Sequence, residues 1–304
     1  MTVLDGLLQG IIQGLTEFLP VSSSGHLSLY QYFTGNAGEG SLFFSLMLHL
    51  GTLAAVIAAY YQDLWKMLVE VGRIFTELVR GRFTLKTDNP SRKLLFMLFF
   101  ACLPMLFVIP INGLVAKISG DKDIVVEGVC FLVTAGLLFL GCKAPAGRAG
   151  VLKMRPKHAV TVGIAQAVAV LPGISRSGAT ISTQLVLGFD RAFAVKFSFL
   201  LGIPAILGGV VFEIGDAAKA GLDVPLLPLF VGMLAAALVG YVSIRLIRWL
   251  VLSDKFIIFA WYTLALGVLV IILGVIGHIT GGGAPDASGA SSMISTVSGA
   301  ISGG

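Results

Sequence analysis

The sequence predicts an all-α polytopic membrane protein. It should have six transmembrane helices plus two re-entrant helix hairpins, arranged as an inverted-topology repeat. Three observations predict this. Of 304 residues, 56% are hydrophobic and 12% charged, about half the charged share of a soluble domain. The chain also matches itself: GIIQGLTEFLPVSSSGH, Gly10 to His26, returns as GIAQAVAVLPGISRSGA, Gly163 to Ala179. Finally, Lys and Arg gather in some loops and acids in others, the bias that orients membrane proteins.

The self-match runs without a gap. Gly10, Ile11, Gln13, Ser22, Ser24 and Gly25 fall on Gly163, Ile164, Gln166, Ser175, Ser177 and Gly178. The same offset carries Gln31 to Gln184, Gly35 to Gly188, Phe44 to Phe197, Ser45 to Ser198 and Leu48 to Leu201. Apolar low-complexity sequence repeats Leu and Gly by chance far more easily than Gln and Ser.

A spanning helix needs roughly 20 apolar residues, while 10–14 suggest a buried or re-entrant piece. Leu7 to Leu19 is of the shorter kind and stops at Pro20. The hydroxyl-rich turn Ser22–Gly25 and a short arm, His26 to Phe33, follow. Irregular backbone at membrane depth must be satisfied by protein or a wet cavity. Ala159 to Leu171 and Ala179 to Phe189 repeat this pattern around PGISRSG. The spans are Leu42–Tyr60, Leu94–Ile111, Ile124–Cys142, Phe197–Phe212, Val224–Ile244 and Phe256–Ile276. Residues 63–93 are expected as a polar loop.

Loops 63–93, 143–157 and 245–255 are basic and belong inside; 112–123 and 213–223 are acidic and belong outside. Three spans then separate the hairpins, so the copies have opposite orientation and their tips meet near the midplane. Residues 1–280 read as one membrane domain, with repeats over about 1–142 and 157–278 and a Gly/Ser-rich tail, 281–304, expected to be disordered. The net charge of +5 is spread over loops rather than one face, so no nucleic-acid partner is expected. Cys102, Cys130 and Cys142 are scattered, without metal-ligand spacing, and read as small core residues. No basic stretch precedes the first apolar run, so no cleaved leader is expected.

Two ionisable residues stand where apolar neighbours gain nothing from them. Glu17 lies inside an apolar helix, at about 2.5–3.5 kcal/mol on insertion scales. Arg176 sits in PGISRSG, and its planar fork of donors suits phosphate. Its repeat partner is Ser23, so one tip carries acid, hydroxyl and imidazole and the other a guanidinium. Ser22, Ser23, Ser24 and Gly25, with Gly173, Ser175, Ser177, Gly178 and Thr180, either let helices pack closely or expose backbone N–H groups as an anion cradle. His26, at the start of the second arm, is a candidate base, acid or nucleophile, and His49 is a second candidate.

QGLTEFLPVSSSGH and LPGISRSGATIS together resemble the two signature motifs of the undecaprenyl-pyrophosphate phosphatases, the bacitracin-resistance family. FSLMLHLGTL and KFSFLLGIPAI resemble its flanking spans, and the similarity covers roughly residues 3–277. The resemblance implies a multi-pass enzyme of the bacterial inner membrane, its site opening to the outer side. It would remove the terminal phosphate of undecaprenyl diphosphate, regenerating the lipid carrier for peptidoglycan. It implies catalytic roles for Glu17, Ser23, His26 and Arg176. Substrate contacts would fall to Gln13, Ser22, Ser24, Gly25, His49, Gly173, Ser175, Ser177, Gly178 and Thr180. It also implies a divalent cation on Glu17, Mg²⁺ or alternatively Ca²⁺. Two departures stand out: Gln13 is the neutral alternative of the first motif, and Ser45 replaces an acid often found there. The nucleophile is Ser23, with His26 as base, or an activated water. A lipid bilayer and the polyprenyl diphosphate are the expected partners, with a homodimer as an open arrangement. The rival class is a transporter or lipid flippase, since inverted repeats with broken helices also build those.

Overall fold

The computed structural model describes residues 2–35, 39–84, 88–108, 110, 113, 123–220 and 225–279, with backbone alone at 39–42 and 212–220. The tail 281–304 and most of the connection 112–123 lie outside them. The described residues form α-helices α1 (Val3–Phe18), α2 (Ser23–Thr34), α3 (Glu39–Val79), α4 (Pro90–Cys102), α5 (Val125–Lys143), α6 (Pro156–Val168), α7 (Arg176–Val186), α8 (Arg191–Ala220), α9 (Leu226–Leu252) and α10 (Ile257–Ile279). Short 3₁₀ turns cover Leu103–Phe107 and Val151–Lys153. No strand occurs among the described residues beyond an isolated bridge, Ala149 to Phe189.

Among the described residues, six helical stretches are long and apolar enough to cross a membrane: Phe43–Val79, Pro90–Phe107, Val125–Lys143, Arg191–Val211, Leu226–Leu252 and Ile257–Ile279. Large apolar side chains stand exposed along them, among them Phe99, Leu140, Phe230, Leu238 and Trp261. A water-soluble surface does not tolerate such a belt; a bilayer covers it.

Two expected connections are partly helical. Asp63 to Val79 is helix rather than loop, continuing α3 past a break at Tyr60 (φ −118°, ψ 22°), where the apolar span was expected to end. Its charges are held by partners. Glu70 accepts from Arg73 Nη1 at 2.6 Å, Arg92 Nε at 3.1 Å and Asn89 Nδ2 at 2.9 Å. Arg92 forks onto Glu77 at 2.7 and 2.8 Å. This network clips the end of α3 to the start of α4, so the polar composition that reads as loop is one face of a helix. The region 213–223, expected as an outer connection, is likewise helical as far as Ala220.

Close packing rests on small residues, as expected where lipid removes any hydrophobic drive between helices. The buried stripe of α1 is Gly6, Gln9, Gly10, Gln13, Gly14, Glu17 and Phe18. A Cβ on Gly10 would lie 2.8 Å from Gly232 Cα on α9. At the equivalent repeat position, a Cβ on Gly163 of α6 would lie 2.9 Å from the Ala101 carbonyl carbon on α4. Thus α1 beds on α9 and α6 on α4, each against a helix of the other sequence half, and α5 packs along α10. Between these layers Phe18, Phe197, Phe199, Leu200 and Ile247 form the main core.

Candidate active site

The site begins with two turns. Ser22 caps α2, its Oγ accepting from Gly25 N at 3.4 Å; Ser175 caps α7, its Oγ accepting from Gly178 N at 3.1 Å. Each cap hydroxyl also sits 3.3 Å from the hydroxyl two residues on, Ser24 and Ser177. The repeat seen in the sequence therefore returns as the same cap hydrogen bonds. Ser22 has φ 69°, a conformation uncommon outside glycine, and it turns the chain sharply from α1 into α2. Gly173, at φ +93°, does the same before α7. The two turns touch: a Cβ on Gly25 would lie 3.0 Å from Gly173 Cα.

Thr134 on α5 secures the second turn, its Oγ1 donating to the Gly173 carbonyl and accepting from Ser175 N, both at 2.9 Å. Ser177 Oγ donates to the Leu19 carbonyl at 3.3 Å. Two helix N-termini are thus held side by side, a ready site for an anion.

Glu17 lies between them, buried at the end of α1. Its Oε1 pairs with Arg176 Nη2. Its Oε2 accepts from Ser23 Oγ at 2.6 Å and from Gln13 Nε2 at 3.0 Å, with His49 Nε2 at 3.4 Å. His49 Nδ1 donates to the Ser45 carbonyl at 2.8 Å, which aims Nε2 at the carboxylate. Glu17, Ser22, Ser23, Ser24, His49, Ser175 and Arg176 form the polar wall of a cavity of about 560 Å³. Cys102, Met105, Leu106, Val108, Ala169 and Val170 supply apolar lining to the same cavity. A serine hydroxyl on a carboxylate, beside a guanidinium and two helix N-termini, is a setting for phosphoryl chemistry.

Of the residues expected in the site, Glu17, Ser23, Arg176, Ser22, Ser24, Ser175 and His49 converge on the cavity. Gln13 supports Glu17 from the preceding turn. Gly25, Gly173, Ser177 and Gly178 shape the paired turns, and Thr180 Oγ1 donates to the Arg176 carbonyl at 2.8 Å. His26 is placed elsewhere. Its Nδ1 donates to the Ser22 carbonyl and its Nε2 accepts from the Tyr262 hydroxyl, both at 2.7 Å, with the rings stacked. Both nitrogens are engaged away from Glu17, and the imidazole nearest the carboxylate is His49.

Two further residues escaped the sequence. Thr134 gives no signal among the small residues of an apolar span. Gly202 stands at the repeat position of His49: a Cβ there would lie 2.8 Å from Arg176 Cζ and nearer still to Nη1. Extending the match one residue past Leu48 and Leu201 would have found it. One copy fills this position with an imidazole; the other leaves room for the guanidinium.

No set of three His, Cys, Asp or Glu side chains among the described residues could hold a metal ion. Glu17 already accepts at both oxygens. Gln13 Oε1, however, is buried without a hydrogen-bond partner, a hard oxygen beside the carboxylate. These donors fit a hard cation carried largely by phosphate oxygens, not a site built by the protein alone.

Comparison with known proteins gives the family. The chain is 39% identical over 280 residues to an undecaprenyl-diphosphatase of Alkaliphilus metalliredigens, covering 91% of this chain and 100% of that protein. It is 40% identical over 281 residues to one of Desulfosudis oleivorans, covering 90% and 100%. It is 35% identical over 288 residues to one of Methanobrevibacter smithii, covering 92% and 100%. The profile of the bacitracin resistance protein BacA matches residues 6–269, and the chain belongs to that family.

Proposed function

We propose that this protein hydrolyses undecaprenyl diphosphate to undecaprenyl phosphate and inorganic phosphate within the membrane, returning the carrier to peptidoglycan synthesis. The observation that carries this reading is Ser23 Oγ held 2.6 Å from Glu17 Oε2, with Arg176 on the other carboxylate oxygen, between two helix N-termini. Ser23 Oγ attacks the terminal phosphorus and its proton passes to Glu17 Oε2. The bond from that phosphorus to the bridging oxygen breaks and the lipid monophosphate leaves. Water then releases the phosphoryl group from Ser23. Arg176 supplies paired donors to the oxygens where charge develops; a phosphate that takes them also releases Glu17 to receive the serine proton. Glu17 and Gln13 Oε1 would hold a divalent cation, Mg²⁺ or Ca²⁺, which would neutralise charge on the diphosphate. His49 Nε2, 3.4 Å from Glu17 Oε2, supports a role for this imidazole at the carboxylate.

The arrangement also supports an inverted repeat with two re-entrant hairpins. Paired caps, paired glycine contacts and the exchange of first arms between copies follow from one pseudo-two-fold relation. With the basic loops inside, the cavity beside Met105, Val108 and Gly209 opens toward the outer leaflet of the bacterial inner membrane.

The test is phosphate release from undecaprenyl diphosphate by the purified protein in detergent, where no gradient exists. Stoichiometric release of phosphate and lipid monophosphate is expected. Absence of release would favour the transporter class, to which the same repeat architecture belongs.

A further inference from the structure

Gln166 is a buried amide without a partner. It is 2% exposed, lines the cavity, and neither Nε2 nor Oε1 has a hydrogen-bond partner. Neither end of this buried amide is paired within the protein, an unmet desolvation that a polar occupant of the cavity would offset. Its repeat partner Gln13 donates to Glu17, four residues on in α1. Four residues after Gln166 stands Val170, which accepts nothing, so the second copy keeps the amide and lacks its carboxylate.

The backbone under Gln166 is pinned. Gly163, one turn earlier on α6, meets the Ala101 carbonyl of α4 too closely for any side chain. The backbone that carries the amide is therefore fixed beside the cavity. The helix of Gln166 packs on the 3₁₀ turn Leu103–Phe107, and Cys102, Met105, Leu106, Ala169 and Val170 line the same cavity as Glu17, Ser23 and Arg176, so Gln166 adds an amide to a largely apolar part of that lining. A lipid diphosphate whose terminal phosphate lies on Glu17, Ser23 and Arg176 has its second phosphate, the one bonded to the polyprenyl chain, between that cluster and the apolar lining.

We infer that Gln166 is a substrate-positioning residue whose Nε2 donates to the prenyl-bearing phosphate, the group retained in the product. This rests on the proposed phosphatase reading and goes beyond it by assigning the two phosphates to different parts of the cavity. Because the retained phosphate is held alike in substrate and product, Gln166 contributes binding that is uniform along the reaction, which appears in KM rather than kcat.

The experiment uses the full-length protein in detergent with three probes: undecaprenyl diphosphate as substrate, undecaprenyl monophosphate as product inhibitor, and inorganic phosphate. Gln166→Met keeps length and removes the donor. It should raise the substrate KM and the monophosphate Ki together by roughly tenfold, with kcat within about threefold and the inorganic-phosphate Ki unmoved. Gln166→Glu, which sets a carboxylate against that phosphate, should weaken the monophosphate further. An unchanged monophosphate Ki, a rise in the inorganic-phosphate Ki alone, or a fall in kcat alone would each overturn the assignment. If Gln166→Met does not purify as a monodisperse protein, Gln166→Asn is measured in its place. It should show smaller rises in the same two constants, and wild-type values would overturn the assignment equally. Wild-type protein releasing no phosphate would fail the phosphatase reading itself, a different result from an active enzyme indifferent to Gln166.

Discussion

Gly202→Ala tests whether the guanidinium position matters, without touching Arg176, Glu17 or Ser23. A Cβ at position 202 would lie 2.8 Å from Arg176 Cζ and 3.0 Å from Nη2, and closer to Nη1. Ordinary contact begins near 3.4 Å. The guanidinium is tied to Glu17 on one side, so it must retreat by about 1 Å, and a displacement of that size at a positioned group can lower rate about 10²-fold, or about 2.7 kcal/mol in the barrier. Phosphate release at saturating lipid is the assay, with thermal unfolding in detergent as the companion. The unfolding midpoint should move little, since the alanine is a better helix former than glycine. Gly136→Ala on α5, with nothing within 4 Å of the added carbon, is the control and should retain full activity. The double variant Gly202→Ala, Arg176→Lys should be scarcely worse than Arg176→Lys alone, because both remove one interaction. Near wild-type turnover in Gly202→Ala, or strict additivity in the double variant, would refute the reasoning.

Arg176→Lys should lose activity nearly as badly as Arg176→Ala, since an ammonium keeps the charge and lacks the fork; Lys at wild-type rate would reduce the role to a generic positive field. Glu17→Gln should abolish most turnover, about 10²-fold or more, while the protein inserts and purifies normally; a loss of only a fewfold would return Glu17 to a structural role. EDTA should suppress phosphate release and Mg²⁺ or Ca²⁺ restore it, and indifference to chelation would remove the cation. His49→Gln should reduce kcat more than Tyr262→Phe, which frees only His26 Nε2; the reverse order would restore His26 as the working imidazole.

Much of the site was legible because its residues are costly where they stand. Glu17 and Arg176 are charges in apolar surroundings, and the Ser and Gly pairs recur at a fixed offset, so chemistry and duplication both appear in one dimension. Other features carry no such mark. Helix α3 beyond Tyr60 reads as loop, because Glu70, Glu77 and Arg92 look solvated until the network joining α3 to α4 is seen. His26 follows the signature serines in the chain, which made it the expected base. In space its ring turns to Tyr262, more than two hundred residues away, and His49 arrives from α3.

The sequence by itself yielded the membrane class, an internal match at a fixed offset, and the candidate acid, hydroxyl and guanidinium, since hydropathy, periodicity and misplaced charge are local properties. Only the tertiary structure decided which imidazole meets Glu17, which glycine admits Arg176, and which glutamine is left without a partner. Those depend on the exchange of arms between copies. Once α1 beds on α9 and α6 on α4, equivalent positions meet unlike neighbours, and an internal match in the chain becomes two unequal halves of one cavity.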